Sequence, residues 1–162
     1  MNIKQVIATL PQTGYLSWIG LRLDKKNINS VESAIITIEN GLDNDHYTKK
    51  RGKRQITLIQ AEHLAAVGSM LGQETGIDPA LTRRNLVVTG INLLAFKDRQ
   101  FQVGEEVILE MTGLCHPCTK MEENLGAGGY NAMRGHGGIT ARVVRGGIIN
   151  VGDEIKWVEL SS

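Results

Sequence analysis

Cysteine is scarce in this chain: Cys115 and Cys118 are the only two in 162 residues. Two thiols cannot staple a disulfide scaffold, and their scarcity points to a reducing compartment. A bond between residues so close in sequence would close only a tiny loop. No second cysteine pair accompanies them, and His46, His63, His116 and His136 lack the H-x3–5-H spacing of zinc ligands. A structural zinc site needs two further ligands, so zinc is disfavoured. A thioredoxin-like pair wants a βαβ setting, which the surrounding pattern does not supply. Charge of one sign is missing as well. With a formal net charge of +1, nothing draws the whole chain to nucleic acid or to a membrane. Any anion recognition must come from local clusters. Long apolar runs are also absent. Residues 1–10 hold one lysine and a short apolar run broken by Gln5, which is not the h-region of a signal peptide. No window has the length of a transmembrane helix. The expected location is cytoplasmic. No linker-like stretch divides the sequence, so a single domain over residues 1–162 is expected.

What is present is an ordinary folding composition, 41% apolar and 22% charged. Nineteen glycines, concentrated after residue 100, sit between short apolar runs and predict tight turns between strands. Strands are expected over residues 3–8, 15–23, 31–38, 86–88 and 139–144, the third with Ala34, Ile36 and Ile38 on one face. Residues 25–30 read as polar loop. The best helix spans 60–71, where Ala61, Leu64, Ala65 and Leu71 form a stripe helped by Val67, with Gly72 as the stop. Asp78-Pro79 starts a short helical turn. Residues 101–110 and 149–159 share a pattern: Val103-Gly104-Glu105-Glu106-Val107 and Val151-Gly152-Asp153-Glu154-Ile155. Each reads as an entry strand, a tight turn and an exit strand. About eight short strands, one clear helix and several turns predict a mainly β fold with some α. In architecture this is an α+β β-barrel with a few peripheral helices.

The chemistry concentrates between Glu110 and Glu122. Val107, Leu109 and Met111 alternate as in a strand, and Gly113 and Pro117 then break regular structure. Thr119 and Glu122 form a Thr-x-x-Glu capping box, opening a short helix that stops at Gly126. Cys118 lies just before the first helical turn, where unpaired backbone N–H groups favour negative charge, and Lys120 is close. A thiolate there is a nucleophile and a soft metal ligand. The alternative is a small, buried, inert residue.

Cations cluster in three places. Lys49, Lys50, Arg51, Lys53 and Arg54 surround Gly52, and most of that run reads as solvated loop. Arg54 differs, because it leads into Ile56, Leu58 and Ile59 and could turn inward toward an anion. Arg83 and Arg84 stand at the mouth of a buried strand, and guanidinium groups bind phosphate or carboxylate in a bidentate way. Surface salt bridging is the alternative for them. Arg134-Gly135-His136-Gly137-Gly138 is a glycine-rich loop whose N–H groups could approach an anion, although it is neither a Walker nor a dinucleotide fingerprint. Asp45-His46 reads as an Asx-type turn.

Taken in order, several pieces resemble one family. They are Gly41-Leu42 with Asp45-His46, Arg54-Gln55 ahead of the helix, and Arg84-Asn85-Leu86-Val87-Val88 with Gly90. Pro117-Cys118-Thr119-Lys120-Met121, Gly137-Gly138 and Val151-Gly152-Asp153 follow. Together they resemble the MOSC domain, named for the C-terminal domain of molybdenum-cofactor sulfurase, and its short stand-alone bacterial members in particular. The resemblance implies a MOSC-type β-barrel that binds the molybdenum cofactor, molybdopterin, and a cysteine that handles sulfur or ligates molybdenum. That cysteine maps to Cys118. Arg54, Arg83, Arg84, Asn85, Lys120 and Arg134 are the implied contacts to the cofactor's phosphate or pterin. His46 and His136 are implied catalytic groups, through hydrogen bonds or proton transfer. Relatives include sulfurase domains and enzymes that reduce N-hydroxylated compounds. The implied activity is therefore a molybdenum-dependent oxidoreductase acting on such compounds. The alternative is a sulfur (persulfide) carrier or cofactor-delivery protein without turnover. Neither the aminotransferase-like nor the ferredoxin-like domain of larger relatives is expected within these 162 residues. The implied partners are a small-molecule substrate or cofactor and a separate reductase or sulfur donor, with no nucleic acid and no membrane.

Overall fold

A short helix, α1 (Ile3–Ile7), precedes the strands β1 (Gly14–Arg22), β2 (Ile28–Val31), β3 (Ser33–Thr37), β4 (Gly41–Leu42) and β5 (Ile56–Gln60) in the computed structural model. Helix α2 (Ala61–Met70) and a 3-10 turn (Pro79–Thr82) lead to β6 (Leu86–Thr89). After a second 3-10 turn come β7 (Gln100–Val103), β8 (Val107–Leu114), α3 (Thr119–Leu125) and α4 (Gly129–Met133), then β9 (Ile139–Arg145), β10 (Gly147–Asn150) and β11 (Glu154–Trp157). The structure describes residues 1–46 and 52–159; Lys49, Lys50 and Arg51 of the basic run lie outside the described residues.

Seven strands close a barrel in the order β1, β11, β7, β8, β9, β5, β6 and back to β1. Closure removes the open strand edges that would otherwise template aggregation. Within the ring β5 and β6 run parallel. A parallel pair needs a crossover, which α2 and the following turn supply. Strand β2 hangs outside the ring on β1, and β10, β3 and β4 form a separate small sheet.

Alternation along the strands sorts two cores. Leu16, Ile56, Leu58, Leu86, Phe101 and Leu109 fill the barrel, with Phe96 and Phe101 stacked at 4.3 Å between centroids. Burying each such side chain contributes about 1.5–3 kcal/mol. The intervening Ile59 and Val87 face outward and pack under Leu64 and Val67 of α2, Met121 of α3 and Met133 of α4. No helix among the described residues is long and apolar enough to cross a membrane.

Several local expectations change. Where a strand was expected over residues 3–8, Ile3–Ile7 is a helix: the Asn2 side chain accepts from the Gln5 N–H while the Gln5 side chain accepts from the Asn2 N–H. Gln5, which looked like an interruption in an apolar strand, is the reciprocal cap. The polar loop at 25–30 ends early, since β2 begins at Ile28. Ile38 lies beyond β3 and is exposed, unlike Ala34 and Ile36. Ala65 faces solvent on α2, where Gly68 occupies the buried stripe because Gly76 packs directly on it. The two Gly-acid corners differ. β7 and β8 pair as a hairpin, but β10 pairs with β3 while β11 joins the barrel. The corner at Val151-Gly152-Asp153 therefore switches sheets.

Candidate functional site

Successive side chains of a strand point to opposite faces, so Thr57 lies on the same outward face of β5 as Ile59. Beside it opens a cleft of about 280 Å3 lined by Arg22, Lys25, Arg54, Thr57, Arg83, Arg84, Cys115, Cys118, Lys120 and Met121. Six of these side chains are cationic and none is a carboxylate. A chain with a net charge of only +1 has gathered a third of its 18 Lys and Arg residues around one opening.

Each wall is held from behind. Asp45, expected in a simple Asx turn, is a buried anchor. Its Oδ1 accepts from the Arg22 backbone N–H at 2.7 Å and from Arg22 Nε at 3.2 Å. Its Oδ2 accepts from Arg22 Nη2 at 2.8 Å. Asn85, fully buried, donates to Asp45 Oδ1 and to Gly20 O, both at 3.2 Å, while its Oδ1 accepts from the Thr57 N–H and hydroxyl. It joins β1, β5 and β6 behind the cleft instead of lining it. At the rim, the Asp24 carboxylate accepts from the Asn27 side chain and from the Lys26 and Asn27 N–H groups, which holds its pKa down at about 2. That turn carries Lys25 to the cleft. Arg83 adopts a left-handed backbone, φ 63°, and donates to Asp24 O and Asn27 O.

Arg84 does something the sequence does not announce. Its guanidinium is buried and donates to four backbone carbonyls: Nε to Gly137 at 2.8 Å, Nη1 to Thr82 at 2.9 Å, and Nη2 to Cys115 at 3.2 Å and His116 at 3.4 Å. Burial pulls its pKa below the ordinary arginine value; the two cysteine thiols oppose this, and Arg22 and Arg54 add to it. One charged plane thus fixes the segment carrying both cysteines. Gly137 and Gly138 complete that clamp. A Cβ on Gly137 would stand 2.0 Å from Cys115 O, and one on Gly138 would stand 1.9 Å from Leu58 O. Their close approach is to the protein's own backbone, with the Cys115 N–H on Gly138 O at 2.8 Å, and not to an anion as the loop's composition suggested.

Cys115 is buried and Cys118 exposed. Cys118, rather than Thr119, occupies the N-cap of α3, so the capping box does not form. Glu122 reaches forward to the Gly128 N–H instead. Of the residues expected from the sequence, Cys118, Arg54, Arg83, Arg84 and Lys120 meet in the cleft. The Arg54 guanidinium has no hydrogen-bond or ion-pair partner among the described residues. His46, Arg134 and His136 do not line it: the His46 N–H donates to Arg22 O, and Arg134 is an exposed cap of α4 whose carbonyl contacts His136 Nδ1 at 3.0 Å. Reasoning from the sequence missed Arg22, Lys25 and Thr57. Only the Asp24–Asn27 turn chemistry carried a local signal for one of them, Lys25.

The family model described as MOSC domain matches residues 41–156. The chain belongs to the MOSC domain family. That span contains Cys118, Arg54, Arg83, Arg84 and Lys120, while Arg22 and Lys25 precede it. MOSC domains are associated with the molybdenum cofactor. The crystal structure of the YuaD protein from Bacillus subtilis superposes with a TM-score of 0.78 at 18% identity, covering 91% of this chain and 97% of that one. YiiM from Escherichia coli gives 0.68 at 17%, covering 91% and 71%. YiiM from Geobacillus stearothermophilus gives 0.61 at 15%, covering 90% and 75%. At such identities these likenesses establish the MOSC barrel and nothing of its chemistry. No curated protein matches the chain.

Proposed function

We propose that this MOSC protein binds molybdopterin in the cationic cleft, with Cys118 as the protein's ligand to molybdenum, and that it reduces N-hydroxylated compounds. The observation that carries this reading is the joint lining of one cleft by six cations and two thiols without a carboxylate. That donor set suits a group with an anionic phosphate at one end and a soft metal at the other. Arg54, Lys25 and Lys120 would hold the phosphate, with Arg22 fixed beside them by Asp45. Arg84 acts as a positioning residue, holding the Cys115 and His116 carbonyls so that the chain enters α3 with Cys118 turned to the cleft. When bound, the molybdenum centre would supply the two-electron redox chemistry of the reduction. Electrons come from a separate reductase.

The exposure of Cys118 favours one second reading, in which its sulfur carries a persulfide to a partner or the protein delivers cofactor. The deciding experiment uses protein made in a host that builds molybdopterin and compares the unmutated chain with Cys118→Ala by metal analysis. Loss of molybdenum from the variant is expected, and equal retention defeats ligation by Cys118. Turnover of an N-hydroxylamine with an electron donor supports the reductase. A persulfide on Cys118 without turnover supports the carrier.

A further inference from the structure

Cys115 lines two cavities, and only one of them is cationic. The second holds about 160 Å3 and contains no Lys, Arg, Asp or Glu; Leu93, Leu94, Leu114 and Ile139 form its apolar walls, with Gln60 and His63 among them. The partition between the two is the Cys115–Gly137 backbone contact, which Arg84 grips from the cleft. The same backbone, running on through His116 and Pro117, carries Cys118.

Two polar groups in the apolar cavity have unused capacity. Gln60 is 7% exposed. Its Oε1 accepts from the Leu93 N–H at 2.8 Å, and this fixes the amide's orientation, because a backbone N–H needs an acceptor. Its Nε2 has no partner among the described residues. It also retains surface, since His63 Nδ1 is the one side-chain nitrogen or oxygen among them that is both sealed and unpartnered. The His63 ring meets His136 edge to face at 4.9 Å. Burial first, then the charge of His136, hold the His63 pKa below 6.5, so the ring brings no charge to the cavity at neutral pH. The Gln60 amide donor is therefore open to the cavity, where an acceptor on a bound molecule can pair with it. The size sets the rest, because an apolar cavity of about 150 Å3 takes up benzene. No Lys, Arg, Asp or Glu lines it to offset the cost of burying an ion.

We propose that this cavity is a binding site for an uncharged, single-ring organic molecule bearing a hydrogen-bond acceptor, held by apolar contact and by the Gln60 amide. The molecule sits across the shared wall from the cationic cleft, and its binding does not rest on the molybdenum reading above.

The test is a titration of the full chain with benzamide, followed by NMR chemical shifts, alongside a separate titration with inorganic phosphate. Benzamide is expected to shift resonances of Gln60, His63 and Leu114 and to remain bound when phosphate is added. Leu94→Trp adds bulk at a half-exposed rim position that folding tolerates, and it should weaken benzamide at least tenfold while leaving phosphate binding unchanged. His63→Phe, which keeps a flat aromatic ring without the nitrogens, should still fold and still bind. Absence of binding up to the solubility limit, displacement of benzamide by phosphate, or an unchanged affinity in Leu94→Trp overturns the proposal. Failure of phosphate alone would count against the cofactor reading and leave this one standing.

Discussion

The cleft and the apolar cavity share a wall yet are built on opposite principles. The cleft crowds six like charges together and tolerates them because it is open to water and braced from behind by Asp45, by backbone carbonyls and by the Asp24 turn. The cavity is lined by no Lys, Arg, Asp or Glu and leaves one amide donor over. The lesson is that the partition matters more than either side. Arg84 and Gly137 meet there, and both cysteines lie on the segment it holds.

The comparison breaks most severely at Arg84. Arg84→Met strands four carbonyls in a buried place and is expected to cost about 3–5 kcal/mol, read as a lower urea midpoint at constant m-value. Arg84→Lys should rescue little, because a point charge cannot span a planar set of acceptors. Gly137→Ala comes next. The wall must shift to admit the methyl group, at about 1–3 kcal/mol and a melting temperature several degrees lower, with phosphate and benzamide affinities falling together. A loss on one side only would show that the two cavities are not separated there.

Arg54→Ala sharpens the contrast instead. Stability should stay within about 0.5 kcal/mol, since the side chain is exposed and has no protein partner among the described residues. Phosphate binding should weaken roughly tenfold and lose part of its salt dependence in calorimetry, while benzamide is untouched. The smallest effect is on pH. His63 is harder to protonate in the folded chain than in the unfolded one, where its value is near 6.5. The unfolded state therefore binds the extra proton between those two values. Stability is complete above pH 6.5 and declines as pH falls through that window. Denaturation midpoints across the window should flatten in His63→Phe, and an unchanged slope would assign the dependence to other groups.

Much of the barrel was legible in the sequence, because β1, β6, β9 and α2 announce themselves through periodicity and end at glycines or polar turns. Cys118, Arg54 and Lys120 were legible as reactive or cationic groups beside breaks in structure. The roles of Asp45, Asn85 and Arg84 were not. Their partners stand 23, 28 and 53 residues away in sequence, and nothing local distinguishes a buried bracket from a surface polar group. The same holds for Gly137 and Gly138, whose composition suits an anion loop and a tight backbone crossing equally well.

The order of polar and apolar residues was enough to decide that this chain makes short strands and closes them into a barrel, because side-chain alternation and turn chemistry act over a few residues. Which guanidinium faces the open cleft and which one holds the wall was decided only by tertiary structure. That choice depends on which carbonyls the closed barrel leaves unpaired, and those arise only when distant strands meet.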